Sequence, residues 1–213
     1  MNIALIGATG FVGTQVLEEA LRRGHRVTAI VRHPEKLPRH ANLTPTAVDV
    51  FDAQALAKAL EGTEAVVSAF NPGWGTPDIQ ARFIAGSRAI TEAVKAASLK
   101  RLLVVGGAGS LFVAPGLQLV DTPEFPAEWK EGALGAREAL RQLQAETSLD
   151  WTFLSPAILL EPGERTGAYR VGADEPLSTG EGPGRISAAD LAVAILDEIE
   201  RPQHLRKRFT VAY

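Results

Sequence analysis

The chain has no cysteine, so disulfides, thiolate nucleophiles and thiolate-held metals are excluded. Its four histidines (His25, His33, His40 and His204) are scattered, no two stand at a metal-ligand spacing, and no metal site is expected. Tyrosine occurs only at positions 169 and 213, and neither has a lysine four residues later. No charge dominates: 22 basic against 25 acidic residues leave a formal −3, which gives no electrostatic case for nucleic acid or an anionic membrane. No apolar segment approaches the roughly 20 residues that span a bilayer. The chain opens on a strand rather than a basic stretch and an apolar signal core, so a cytoplasmic location is expected. There is no repeat, low-complexity tract or linker, and residues 1–213 are read as a single domain.

What is present is concentrated between residues 3 and 32. An apolar run, Ile3 to Ile6, enters Gly7-Ala8-Thr9-Gly10-Phe11-Val12-Gly13. Val16, Leu17, Ala20 and Leu21 then recur at helical spacing, and a second apolar run follows from Val27 to Val31. This is a β-α-β unit with glycines at the spacing of a dinucleotide site. A Cβ there would block the tight turn and the approach of a pyrophosphate, and the helix start offers unpaired N–H groups to that anion. Gly7, Ala8, Thr9, Gly10, Phe11 and Val12 are therefore read as cofactor-binding. The second strand ends in Val31-Arg32-His33, with no carboxylate until Glu35. A carboxylate would repel a ribose 2′-phosphate, whereas a guanidinium pairs with it through two N–H bonds. Arg32 is read as the ligand of that phosphate, and NADP(H) is expected over NAD(H); the other reading is a solvated strand-end arginine.

Further along, strands are expected over Thr44 to Val50, Ala65 to Ala69, Arg101 to Val105, Trp151 to Ser155, Ala168 to Val171 and Arg208 to Ala212. Helices are expected at about 53–61, 78–98, 131–147 and 187–200. Periodicity fails from Leu111 to Lys130, where Pro115, Pro123 and Pro126 intervene, as in a lid or binding loop. Alternating strands and helices imply an α/β doubly wound parallel sheet, a Rossmann fold, with a small carboxy-terminal substrate lobe. Segments 111–130 and 157–186 are taken as substrate-side loops. Ligands in such sheets lie beyond the carboxyl ends of the strands. The chemistry is therefore sought at 7–13, 32–36, 69–75, 106–110 (with Gly107 on the cofactor) and 156–161.

With those loops in place, the chain resembles an atypical short-chain dehydrogenase/reductase. More narrowly, it is similar to the NmrA-like NAD(P)-binding proteins and to the group of NADH-flavin reductases and biliverdin reductase B. The residues carrying this are the glycine turn, Val31-Arg32-His33-Pro34, Asp49-Val50, the run Leu149 to Pro156, Thr166-Gly167-Ala168-Tyr169 and the run Arg185 to Leu191. The resemblance implies that Asp49 and Val50 lie beside the adenine, although Asp49 is equally read as a strand-end cap. It places Ala69, Phe70 and Asn71 beneath the nicotinamide ribose, and Pro156, Ala157 and Ile158 on the nicotinamide face. The family's catalytic tyrosine with a lysine four residues on is absent, and Ala157 and Ile158 stand where the biliverdin reductases carry a histidine.

The expected activity is hydride transfer from NADPH to a flat small-molecule acceptor such as a flavin (FMN as a possible substrate) or a quinone. The cofactors carry the electronic work, and the protein must orient the rings. Ser110 is read as a donor to the substrate, against a turn-forming serine. Trp74 and Trp129, taken as loop residues, are candidates to stack on the acceptor. A cofactor-sensing regulator of the NmrA type is the alternative, and an epimerase is less favoured. A monomer or homodimer is expected.

Overall fold

The computed structural model describes residues 1–180 and 182–213. In chain order the elements are β1 (Asn2–Ile6), α1 (Phe11–Arg22), β2 (Arg26–Val31), β3 (Leu43–Ala47), α2 (Ala53–Leu60), β4 (Ala65–Ser68), α3 (Ile79–Ala96) and β5 (Arg101–Val105). There follow β6 (Phe112–Ala114), β7 (Leu117–Gln118), α4 (Ala127–Gln144), β8 (Asp150–Ser155), β9 (Leu159–Glu161), β10 (Arg170–Gly172), β11 (Arg185–Ser187), α5 (Ala188–Glu200) and β12 (Lys207–Ala212).

Eight strands form one sheet in the order β10-β12-β8-β5-β4-β1-β2-β3. All neighbours are parallel except β10, which runs antiparallel to β12. Both faces are covered, which is why the strands read as unbroken apolar runs. In β1, Ile3 and Leu5 pack towards α1 and α5, while Ala4 and Ile6 pack towards α2, α3 and α4. Phe153 of β8 is fully buried on the second face. Burial of such a ring is worth roughly 2–3 kcal/mol. The strand order reverses between β1 and β4, so the connections after these strands part and open a crevice along their carboxyl ends.

The small lobe beyond that rim consists of the β6–β7 pair and the parallel pair β9–β11. The segment from Leu111 to Lys130 is thus not structureless. It carries a short antiparallel pair and a 3-10 turn at Leu119–Asp121, and its last residues open α4. That helix starts at Ala127 rather than near 131, directly after Pro126. Proline has no N–H to lose at a helix start and its φ is already suited to one, so here it begins the helix. Trp129 is in consequence a helical residue.

The 157–186 segment is also divided. Only its first residues reach the crevice; Arg165 to Gly167 return to the α1/α5 face, and β10 extends the main sheet. Asp190, fully buried on α5, holds this return. Its carboxylate accepts from the Thr166 N–H and hydroxyl, the Gly167 N–H and the Tyr213 hydroxyl. Burial alone would raise its pKa, but these four donors, led by the Thr166 hydroxyl, hold it below its ordinary value.

Candidate functional site

Two adjoining cavities occupy the crevice. The first, of about 240 Å³, is walled by Gly7, Thr9 and Gly10, the strand end Val31-Arg32-His33, Lys36, the run Val48 to Phe51, the run Ala69 to Pro72, and Arg82. The second, of about 600 Å³, has Phe11, Trp74 and Phe83 on one side. The run Gly106 to Gly109, residues between Leu119 and Trp129, the α4 face of Gly132, Ala133 and Ala136, and the run Pro156 to Leu160 complete it. The two meet at Asn71, which lines both.

The start of α1 stands between them, with Gly10 facing the first cavity and Phe11 the second. No side chain caps this helix. The Gly10 N–H bonds to the Gly7 carbonyl, and the ladder begins only with Thr14 N–H to Gly10 at 2.9 Å. Among the described residues, the N–H groups of Phe11, Val12 and Gly13 have no protein acceptor. Such a set of donors at a dipole's positive end suits a pyrophosphate.

The glycines make this approach possible. Gly7 has φ +82°, and a Cβ there would lie 2.6 Å from the Ala69 carbonyl oxygen. A Cβ on Gly13 would lie 2.0 Å from the Gly7 carbonyl oxygen. Backbone, not a flexible side chain, fills both places, so the turn closes only with glycine. The residues present therefore fit a dinucleotide: its pyrophosphate on the helix start, one half in each cavity.

Arg32, Asp49, Val50, Ala69, Phe70 and Asn71 are brought together around the first cavity. Asp49 also has the capping role, since its carboxylate accepts from the Phe51 N–H at 3.0 Å. Arg32 is exposed and has no hydrogen-bond or ion-pair partner among the described residues. His33 instead pairs with Glu35 at 3.2 Å. Gly107, Pro156, Ala157, Ile158, Trp74 and Trp129 line the second cavity. Ala8 and Val12 line neither: both pack into the core, so only their backbone could face a ligand.

Ser110 is a correction. It is 2% exposed, lies outside the lining of both cavities, and its hydroxyl accepts from Arg208 Nη1 at 3.2 Å. Its bond from Arg208 holds the hydroxyl on the side away from the cavity that Gly106 to Gly109 line. Tyr169 is likewise remote from both cavities. Its hydroxyl donates to Asp197 at 2.6 Å, and burial together with that carboxylate pushes the phenol above its ordinary pKa. A tyrosine acting as acid near neutrality needs the opposite shift.

Several lining residues were not named by the sequence reading, among them three that carry charge or an aromatic face. Arg82, in the first turn of α3, holds its guanidinium 5.4 Å from the centre of the Phe51 ring, and both line the first cavity. Glu124 lines the second. The available signal was positional: α3 begins at the rim, so its first turn faces the crevice. Among the described residues, no group of three His, Asp or Glu side chains is placed to hold a metal, and no helix is long and apolar enough to cross a membrane.

A doubly wound sheet with an uncapped, glycine-built helix start at its switch point defines a nicotinamide-dinucleotide-binding protein. The chain belongs to the NAD(P)H-binding family, whose model matches residues 7–202. It is 45% identical to a Burkholderia pseudomallei structure described as a "putative exported protein", with TM-score 0.90 and 100% of each chain covered. A "putative epimerase" from Bacteroides thetaiotaomicron is 44% identical, with TM-score 0.94, covering 100% of this chain and 96% of that one. A "putative NADH-flavin reductase" from Streptococcus pneumoniae is 34% identical, with TM-score 0.84, covering 100% and 99%.

Proposed function

We propose that the protein is an NADPH-dependent reductase of a flat acceptor, a flavin or quinone. The observation that carries this is the pairing of two unlike cavities across one helix start. One is edged by Arg32, Lys36 and Arg82; the other is apolar and flanked by two exposed tryptophans. When bound, the coenzyme supplies two electrons and a proton as hydride, and the acceptor takes one further proton from water.

Within this reading the chain's own residues bind, orient and shield. The α1 N–H groups fix the pyrophosphate, and Arg32 takes the 2′-phosphate, with Lys36 adding charge. Asp49 receives the adenine amine, and Val50 packs on its ring. Ala69 to Asn71 pass beneath the ribose, while Gly107 and Pro156 to Ile158 back the nicotinamide. Trp74 lies against Gly132 of α4, where a Cβ would come within 2.7 Å of the indole, so this exposed ring has a fixed seat. Trp74 and Trp129 hold the acceptor ring and keep water from it.

No acid or base on the protein is required by that transfer, in keeping with the buried Ser110 and the remote Tyr169. A regulator that only senses the coenzyme would fill the nicotinamide end of the second cavity but has no use for the part flanked by Trp74 and Trp129. A monomer or a homodimer is compatible with this reading. A cytoplasmic location goes with the use of NADPH.

The test is loss of the reduced-nicotinamide absorbance when protein, NADPH and menadione or a flavin are mixed. Tight NADPH binding with no turnover on any of these acceptors would favour the sensor.

A further inference from the structure

We infer that the acceptor is a neutral, apolar ring compound, a quinone or an unphosphorylated isoalloxazine, and that phosphate-bearing FMN is discriminated against. This rests on the reductase reading of the same site and narrows its substrate class.

The argument is one of charge placement. The arginine and lysine side chains that line the crevice (Arg32, Lys36 and Arg82) all lie in the first cavity, where the dinucleotide's own phosphates take up their charge. Among the described residues lining the second cavity, the only charged one is Glu124. Its walls are otherwise aromatic and aliphatic, with Phe83, Phe125, Trp129, Ile158 and Leu160 facing inward. A phosphate dianion brought here would leave water without a counter-charge and would approach a carboxylate, which is costly on both counts.

A helix N-terminus is the other common phosphate holder. The one on this side, that of α4, already has Glu128 in its first turn and Glu124 just before it. The α1 start is committed to the pyrophosphate. The polar groups left suit a carbonyl rather than an anion. The Thr122 hydroxyl is spent on the Leu119 carbonyl at 2.8 Å, whereas the Asn71 amide N–H₂ has no acceptor among the described residues and can donate to one ring oxygen.

Riboflavin and FMN differ only in the terminal phosphate, so they isolate this feature. Each is titrated into the NADP⁺-saturated protein and followed by flavin fluorescence anisotropy, with menadione as a displacing ligand. Riboflavin should bind at least about tenfold more tightly than FMN, and menadione should displace it. Glu124→Gln should narrow the gap and Glu124→Lys should close or invert it, with NADP⁺ affinity unchanged. Equal or tighter binding of FMN, or no binding of either flavin, would overturn the inference. Turnover is read separately. Riboflavin bound with no NADPH oxidation by riboflavin, FMN or menadione keeps the discrimination against phosphate and removes the reductase reading; oxidation preferring FMN does the reverse.

Discussion

Arg208 and Ser110, 98 residues apart, are joined by a single guanidinium nitrogen: Nη1 donates to the Ser110 carbonyl at 2.7 Å and to its hydroxyl at 3.2 Å. The Nε of the same arginine reaches Asp174 at 2.8 Å. A buried cation from β12 thereby pins the turn after β5, whose other face lines the larger cavity. Arg208→Met strips the buried turn of its cationic donor, leaving the Ser110 carbonyl only the Gln118 amide at 2.9 Å, while Asp174, largely exposed, regains water. We expect a loss of about 2–3 kcal/mol, a fall in Tm on the order of 5–10 °C, and a larger rise in acceptor KM than in coenzyme Kd.

Ser110→Ala removes only the longer of those two bonds. Stability should fall by less than about 1 kcal/mol and kcat should stay within about threefold of the parent. A hundredfold drop in kcat, measured by stopped-flow, would return Ser110 to the chemistry.

Arg32→Ala should raise the Kd of NADPH by about 10- to 100-fold, the worth of a charge-assisted pair, and leave NADH within about threefold. Calorimetric titration of both coenzymes decides it. Equal weakening of both would refute the 2′-phosphate role, and no weakening of either would leave Arg32 a solvated strand-end residue.

Gly13→Ala places a methyl 2.0 Å from the Gly7 carbonyl oxygen, so the turn must open. Coenzyme binding should be lost, with a destabilisation of about 1–3 kcal/mol. Gly107→Ala is the control: its nearest neighbour would be the Ala136 methyl at 3.8 Å, an ordinary contact, and its Tm should hardly move.

Glu19 gives a pH prediction. Its side chain, 2% exposed on α1, accepts from Arg165 at 2.7 and 2.9 Å, and from Arg22 and Arg23. The Arg165 hydrogen bonds, opposed by burial and helped by Arg23, hold its pKa at about 2 instead of 4.5. A folded-state pKa below the unfolded value stabilises the fold above about 4.5, and that stability is lost as pH falls towards 2. The Tm advantage over Glu19→Gln should therefore be constant at neutral pH and shrink between those limits. A gap independent of pH would sink this assignment.

The β1-α1-β2 unit was readable because strands buried on both faces leave unbroken apolar runs, and because Gly7 and Gly13 are dictated by backbone contacts. The strands β6, β7, β9 and β11 were not: two or three residues carry no periodicity, and their partners are distant in sequence. Pro126 read as part of a loop because a proline before polar residues marks either a loop or a helix start, and only packing on α3 decides. Ser110 misled because its neighbours do line a cavity, while its own direction depends on Arg208. Arg82 drew no reading from the sequence, because a lone arginine beside the apolar stripe of α3 carries no signal until the helix start is placed at the rim.

Among the described residues, the two cavities have only Asn71 in common. On the proposed reading, acceptor choice can therefore drift while the adenine end of the coenzyme stays gripped, because substitutions along 119–129 alter the second cavity without touching the first. Homologues sharing this backbone can keep an unaltered redox partner while exchanging clients.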